Sequence, residues 1–132
     1  MLDYQNSQTV PTNQLNTGTA GIGVFVGGGA VTQATSASTG VTLNKIGGQI
    51  TTVSLTTAAA AETIFTVTNS NVKAVDVIAV CIGTYAGGGT PMVGVKNVTN
   101  GTFDIVITNL HASAAFDAAM IINFIVLKNN IV

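Results

Sequence analysis

Short apolar runs divided by turn residues characterise the chain from about residue 20 onward. The runs are rich in Val, Ile, Thr and Phe, and Gly, Asn and Ser separate them, which is the composition of β-strands and their turns. In the clearest run, Phe103, Ile105 and Ile107 occupy one face while polar residues dominate the other, so one side should be buried. The pattern predicts strands at residues 21–26, 30–34, 41–44, 49–55, 63–68, 75–82, 91–98, 102–108 and 119–128.

Two of these segments, 75–82 and 119–127, are apolar on both faces. A strand of that kind has no side suited to water, so we expect each to lie at the centre of a sheet or to be covered by another subunit. The dipeptide Asn100-Gly101 separates residues 93–99 from residues 102–108. Because such a turn tolerates positive φ at both positions, the two flanking segments should form an antiparallel hairpin.

Many short strands with no helix between them indicate an all-β fold. Their spacing of about ten residues predicts an antiparallel β-sandwich, and a jelly-roll is one topology that fits. We place this domain at residues 20–132 and expect an extended arm at residues 1–19.

The predicted N-terminal arm is rich in Asn, Gln, Thr and Ser, and its few apolar side chains follow neither a helix nor a strand period. Ordering one backbone unit costs about 1–2 kcal/mol, whereas one fully buried apolar side chain returns about 1.5–3 kcal/mol. Too few apolar side chains are present to offset the cost, so the arm should be flexible until a partner orders it.

Charge is scarce in this chain. Only 7% of the residues are charged, with five acidic residues, four Lys and no Arg, against about 25% in a typical soluble domain. This deficit argues against nucleic acid as a partner. No apolar run approaches the roughly 20 residues of a membrane-spanning helix, and the first residues lack a secretory signal. We therefore expect a protein made in the cytoplasm with no membrane partner.

The residue types that usually carry chemistry are few and far apart. His111 is the only histidine, and Cys81 is the only cysteine, in an apolar run where we expect a buried core residue. The five carboxylates are dispersed along the chain, which favours neither a metal site nor a catalytic pair. Glycine clusters at 27–29 and 87–89 lack the Lys-Ser or Lys-Thr of a phosphate loop and should be ordinary loops. We predict no enzyme, catalytic residue, cofactor, metal or small-molecule substrate.

A surface with so few charges suits a symmetric assembly. Each charge at a contact between identical subunits recurs around the symmetry axis, so that like charges repel and desolvation costs accumulate. Neutral Thr, Asn, Ser and Gln side chains avoid that cost. The composition therefore favours a component of an assembly over a solitary protein.

Several segments resemble small β-sandwich proteins encoded by tailed bacteriophages and prophages. The similarity covers about residues 31–128. The segments that carry it are TGVTLNK (39–45), GQIT (48–51), FTVTNS (65–70), DIVITNL (104–110) and INFIVLK (122–128).

Relatives of this kind that occur in virions resemble capsid cement or decoration proteins, which commonly sit as trimers on the outer shell. The resemblance implies a homotrimer on the virion surface that binds the major capsid protein and stabilises the shell. Similar segments also occur in tail fibres, so a tail-fibre knob or receptor-binding module is the alternative. The candidate capsid or subunit contacts are Leu2, Tyr4, Val10 and Leu15 in the arm, Tyr85 beside a glycine-rich loop, and Ile131 and Val132 at the C-terminus.

Overall fold

The computed structural model describes residues 27–131, and these residues form eight β-strands and no helix. The predicted strand at 21–26 and the predicted arm at 1–19 lie outside the described residues. Each of the other predicted strands is present, with its ends shifted by a few residues. The strands are β1 (Gly29–Thr32), β2 (Val41–Thr42), β3 (Gly47–Thr51), β4 (Glu62–Thr68), β5 (Val77–Tyr85), β6 (Pro91–Thr99), β7 (Thr102–Asn109) and β8 (Met120–Leu127).

Two four-stranded sheets pack against each other, which confirms the all-β sandwich. The first sheet has the order β1-β3-β8-β5, and the second has the order β2-β4-β7-β6. Four of the six strand pairs are antiparallel, as predicted. The sheets are nevertheless mixed, because β1 pairs in parallel with β3, and β2 in parallel with β4. The chain changes sheet after each of β1, β2 and β3, so strands two apart in sequence become parallel neighbours. The jelly-roll topology is not confirmed.

The two central strands supply much of the core. Strand β7 lies between β4 and β6, and β8 lies between β3 and β5. Alternate residues of both strands are buried, so the one-sided pattern predicted for residues 102–108 is confirmed. Phe103 of β7 and Phe124 of β8 bring the sheets together, with their ring centroids 5.5 Å apart. Aromatic pairs at this separation stabilise the folded state by more than the burial of their surface area alone would.

The two strands with apolar residues on both faces have different positions. Strand β8 is central, as predicted, whereas β5 is an edge strand of the first sheet. Ile78, Val80 and Ile82 pack against the core, and the alternate residues of β5 point outward and are exposed. The expectation of a central position is therefore wrong for β5. The other alternative, cover of its outer face by another subunit, stays a prediction.

The β6–β7 hairpin confirms the strongest turn prediction. Thr99 and Thr102 pair across the turn, and of the two turn residues only Gly101 has a positive φ, at +91°. Asn97 also has a positive φ, of +53°, where the register of the β6–β7 pair shifts. A bulge of this kind twists an edge strand and discourages pairing with another strand.

Candidate functional site

The single histidine has a local hydrogen-bonding role. His111 Nδ1 accepts hydrogen bonds from the backbone N–H groups of Ser113 at 3.1 Å and Ala114 at 2.9 Å. The side chain closes the turn that follows β7.

The prediction that Cys81 belongs to the core is wrong. Cys81 is exposed on the outer face of the first sheet, where it pairs with Asn123 of β8. Because both faces of β5 are apolar, its sequence period does not indicate which face points inward. The larger side chains of Ile78, Val80 and Ile82 fill the inner face, which leaves the smaller Cys81 outside.

Asp76, Asp104 and Asp117 each accept hydrogen bonds from different partners. Within residues 27–131, no group of three His, Cys, Asp or Glu residues could hold a metal ion. Asp104 accepts hydrogen bonds from Asn97 Nδ2 at 2.8 Å and Thr66 Oγ1 at 2.7 Å. These two bonds, against a smaller opposing effect of burial, lower the pKa of Asp104. The described chain also contains no helix that could span a membrane.

Among residues 27–131, Asp76 is the most deeply buried carboxylate, with 1% of its side chain exposed. Burial acts to raise its pKa, but the hydrogen bond and charge of Lys128 and the N–H groups of Lys73 and Asn129 together outweigh burial and lower that pKa. The N–H donors are 2.8 Å and 3.2 Å from the carboxylate oxygens. The carboxylate thus anchors the chain after β8 to the turn before β5.

The free energy of unfolding should decrease in acid because of Asp76. A lowered folded pKa means that the folded state binds fewer protons, so this stabilisation is present above the ordinary value of 3.8 and is lost as the pH falls through the folded pKa. Asp76→Asn should cost about 1–2 kcal/mol at pH 7, and the difference from wild type should shrink near pH 3. Urea unfolding of the wild type and the variant at both pH values measures this difference in the free energy of unfolding. Glu62→Gln, at an exposed side chain, is the control, and an equal deficit at both pH values would contradict the assignment.

The glycine cluster at 87–89 lies in the loop between β5 and β6, as predicted. Tyr85 Oη donates a hydrogen bond to the carbonyl oxygen of Gly88 at 2.7 Å and accepts one from the N–H of Asp117 at 3.2 Å. The tyrosine ring packs edge-on against Phe116, with the ring centroids 5.3 Å apart. Tyr85 is therefore half-buried and holds this loop against the segment before β8. Its role as a contact residue stays a prediction.

Exposed apolar side chains occur at the start of β5 and the end of β8 and in the segments that adjoin them. Val77 pairs with Leu127, and these side chains are 52% and 45% exposed. Val75 precedes β5 and Ile131 follows β8, and both are exposed. We call these four residues the apolar end. Sequence reasoning named only Ile131 among them, although the apolar character of both faces of 75–82 and 119–127 was a signal for Val77 and Leu127.

The outer face of the first sheet also carries two adjoining depressions, which share Phe124 and Ile125. We call the combined feature the trough. It crosses the sheet from β1 to β5, and every residue that lines it is uncharged. The depression of about 260 Å³ is also lined by Ala79, Val80, Cys81 and Asn123, and the depression of about 350 Å³ by Gly28, Gly29, Gly47, Gly48 and Gln49.

Comparisons with protein-family models, curated proteins and solved structures found no match. The resemblance to phage proteins therefore stays a prediction from the sequence segments named above. The remaining candidate contact residues lie outside the described part of the chain, and their role stays a prediction. They are Leu2, Tyr4, Val10, Leu15 and Val132.

Proposed function

We propose that the protein is a capsid cement protein of a tailed bacteriophage. As a homotrimeric β-sandwich, it binds the outer surface of the major capsid protein shell and stabilises it. The observation that supports this proposal best is the apolar end, an exposed apolar cluster on a domain that has almost no charge. The resemblance of residues 31–128 to small phage β-sandwich proteins is the reason for proposing a capsid as the partner that the apolar end contacts.

The apolar end has the chemistry of the centre of a protein interface. Interface centres are depleted of charge and enriched in apolar side chains, with polar groups around them. The charged residues that adjoin Val77 and Leu127 in sequence, Asp76 and Lys128, form an ion pair with each other. A partner that covers Val77 and Leu127 therefore does not have to desolvate an isolated charge, which would cost several kcal/mol.

Trimerisation would turn modest contacts into firm attachment. Once one subunit of a trimer binds the shell, its two companions are held near their own sites at a high effective concentration. The predicted arm, with Leu2, Tyr4, Val10 and Leu15, would add contacts by pairing as a strand with the edge of a neighbouring sheet. The protein acts in this scheme as a mechanical clamp and requires no reaction.

Electron cryo-microscopy of bare capsids mixed with the purified protein tests the proposed function. The expected result is added density over the outer shell, at positions that bridge neighbouring capsomers. Density at the tail or at receptor-binding fibres would favour the alternative, a tail-fibre or receptor-binding module. Absence of added density on capsids of the same phage, at saturating protein, would overturn the cement assignment.

A charge placed in the apolar end should weaken capsid binding. Val77→Asp would bury an unpaired carboxylate in the contact, so we expect at least a tenfold loss of affinity, equivalent to about 1.4 kcal/mol. Met92→Asp is the matched control, because Met92 is 53% exposed at the opposite end of the sandwich. Capsid occupancy in co-sedimentation measures both variants. If both variants bind like wild type, the apolar end is not the contact.

A further inference from the structure

The turn of the β6–β7 hairpin contains a dipeptide that is prone to a spontaneous reaction. Asn100-Gly101 is the only Asn-Gly pair of the chain, and Asn100 is exposed. In such a pair the backbone nitrogen of the glycine can attack Cγ of the asparagine, because glycine has no side chain to hinder the approach. The turn is therefore a candidate site of deamidation.

Deamidation of Asn100 requires water and no other reactant. The Gly101 nitrogen loses its proton and bonds to Cγ of Asn100, and the side-chain nitrogen leaves as ammonia, which gives a cyclic succinimide. Water then opens the ring at either of its carbonyl carbons and leaves an aspartate or an isoaspartate. Nothing is oxidised or reduced. The reaction is irreversible and adds one negative charge to the chain.

The fold binds both reacting groups to the segment before β5. The N–H of Gly101 donates a hydrogen bond to the carbonyl oxygen of Val72 at 3.0 Å, and Asn100 Oδ1 accepts one from the N–H of Ala74 at 3.1 Å. The first bond opposes loss of the proton from the attacking nitrogen, and the second restricts rotation of the Asn100 amide. Both hydrogen bonds must break or distort before the nitrogen reaches Cγ.

The segment that provides these partners is itself well anchored. Asn69 and Val72 are 0% and 1% exposed, and the N–H of Asn69 donates to the carbonyl oxygen of Gly101 at 2.8 Å. Three hydrogen bonds thus join the hairpin turn to residues 69–74. The turn separates from this segment only by a local opening that breaks them.

We propose that Asn100 is a deamidation site that the fold suppresses, and that separation of the hairpin turn from residues 72–74 sets the rate of its reaction. The proposal is independent of the proposed function, because it depends only on the contacts of this turn. The new carboxylate would lie beside Ala74, the residue before Val75 of the apolar end. Aged protein would therefore carry an added charge near that surface.

Incubation of the full-length protein in mildly alkaline buffer, with peptide mapping by mass spectrometry, tests the proposal. Deamidation at Asn100 should be at least about tenfold slower in the native protein than in the guanidinium-unfolded chain, because the native protein must first open locally. Hydrogen exchange measured by NMR should show that the N–H of Gly101 is protected. Equal deamidation rates in the native and unfolded protein, or an unprotected Gly101 N–H, would overturn the proposal.

Two substitutions at Ala74 isolate the hydrogen bond to Asn100. Ala74 is the second residue of a turn in which the N–H of Asp76 donates to the carbonyl oxygen of Lys73 at 2.9 Å, a position that proline favours. Ala74→Pro removes the N–H donor and keeps the turn, so native deamidation should become about threefold to tenfold faster.

Ala74→Ser is the matched control, because it keeps the N–H donor and should react like the wild type. Circular dichroism and urea unfolding check that both variants are folded under the conditions of the incubation. Equal deamidation rates in folded Ala74→Pro and Ala74→Ser would show that the hydrogen bond does not restrain Asn100 and would overturn the proposal. The comparison of native with unfolded wild type decides the proposal if Ala74→Pro does not fold.

Discussion

Replacement of Asn109 by Asp is expected to destabilise the protein by about 3–5 kcal/mol, the cost of an unpaired charge in a protein interior. Asn109 is fully buried at the end of β7. Both the nitrogen and the oxygen of its side-chain amide form hydrogen bonds. A carboxylate there would point an oxygen at three carbonyl oxygens and lose the hydrogen bonds that the two amide hydrogens donate to them. The amide donates to the carbonyls of Thr57 (3.3 Å), Ala58 (3.2 Å) and Ala114 (2.8 Å), and accepts from the N–H groups of Thr90 and His111 (both 3.1 Å).

Urea unfolding at pH 7 measures this loss of stability. Asn130→Asp makes the same chemical change at an exposed position and should alter the free energy of unfolding by no more than about 0.5 kcal/mol. A loss below about 1 kcal/mol for Asn109→Asp would show that the three loops at this end of the sandwich do not depend on the amide.

Gly48→Ala is expected to have the next largest effect, a loss of about 2–3 kcal/mol, as for overpacking of a tight site. The added Cβ would lie 2.6 Å from Leu43 Cδ2 and 2.8 Å from the carbonyl oxygen of Gly29. Leu43 can move, but the carbonyl belongs to β1, which pairs with β3 through this same residue. Relief of the contact therefore requires β1 to shift.

A second strand glycine provides the control for this substitution. A Cβ at Gly94 of β6 would meet no atom within 4 Å, so Gly94→Ala should be neutral or stabilise the fold by up to about 1 kcal/mol, since alanine restricts the unfolded chain. The difference between the two urea midpoints measures the steric effect at Gly48. Equal midpoints would contradict the close approach of β1 to β3.

Short-range signals predicted much of the fold correctly. The alternation of Phe103, Ile105 and Ile107 with polar residues placed one face of β7 in the core, and the Asn100-Gly101 turn predicted the β6–β7 hairpin. Both depend on residues that are close in sequence. The parallel pairs β1–β3 and β2–β4 depend on where the chain crosses between sheets, and no local pattern of side chains specifies that crossing.

The role of Asn109 was present in the sequence but easy to miss. The period of two that buries residues 103, 105 and 107 continues to 109, so a polar residue occupies a core position at the end of the strand. A buried amide must find partners for its donors and acceptors. The backbone groups of the surrounding loops supply these partners. A polar side chain is therefore stable at the position where the strand leaves the core.

Sequence reasoning found only part of the candidate site. Ile131 was named, whereas Val77 and Leu127 became visible once the edge position of β5 was known. Apolar residues on both faces of a strand indicate that both faces are buried. They do not indicate whether the core, another subunit or a segment of the same chain buries each face. Cys81 was misplaced for the same reason.

We propose that this sparsely charged sandwich serves association with itself and with a capsid. Sedimentation velocity of the purified full-length protein, alone and mixed with capsids of the same phage, tests it most directly. We predict a species of three chains of 13.3 kDa each in the protein alone, and its transfer to the rapidly sedimenting capsid boundary in the mixture. A particle of one chain at every concentration, unchanged in sedimentation when capsids are added, would contradict the claim.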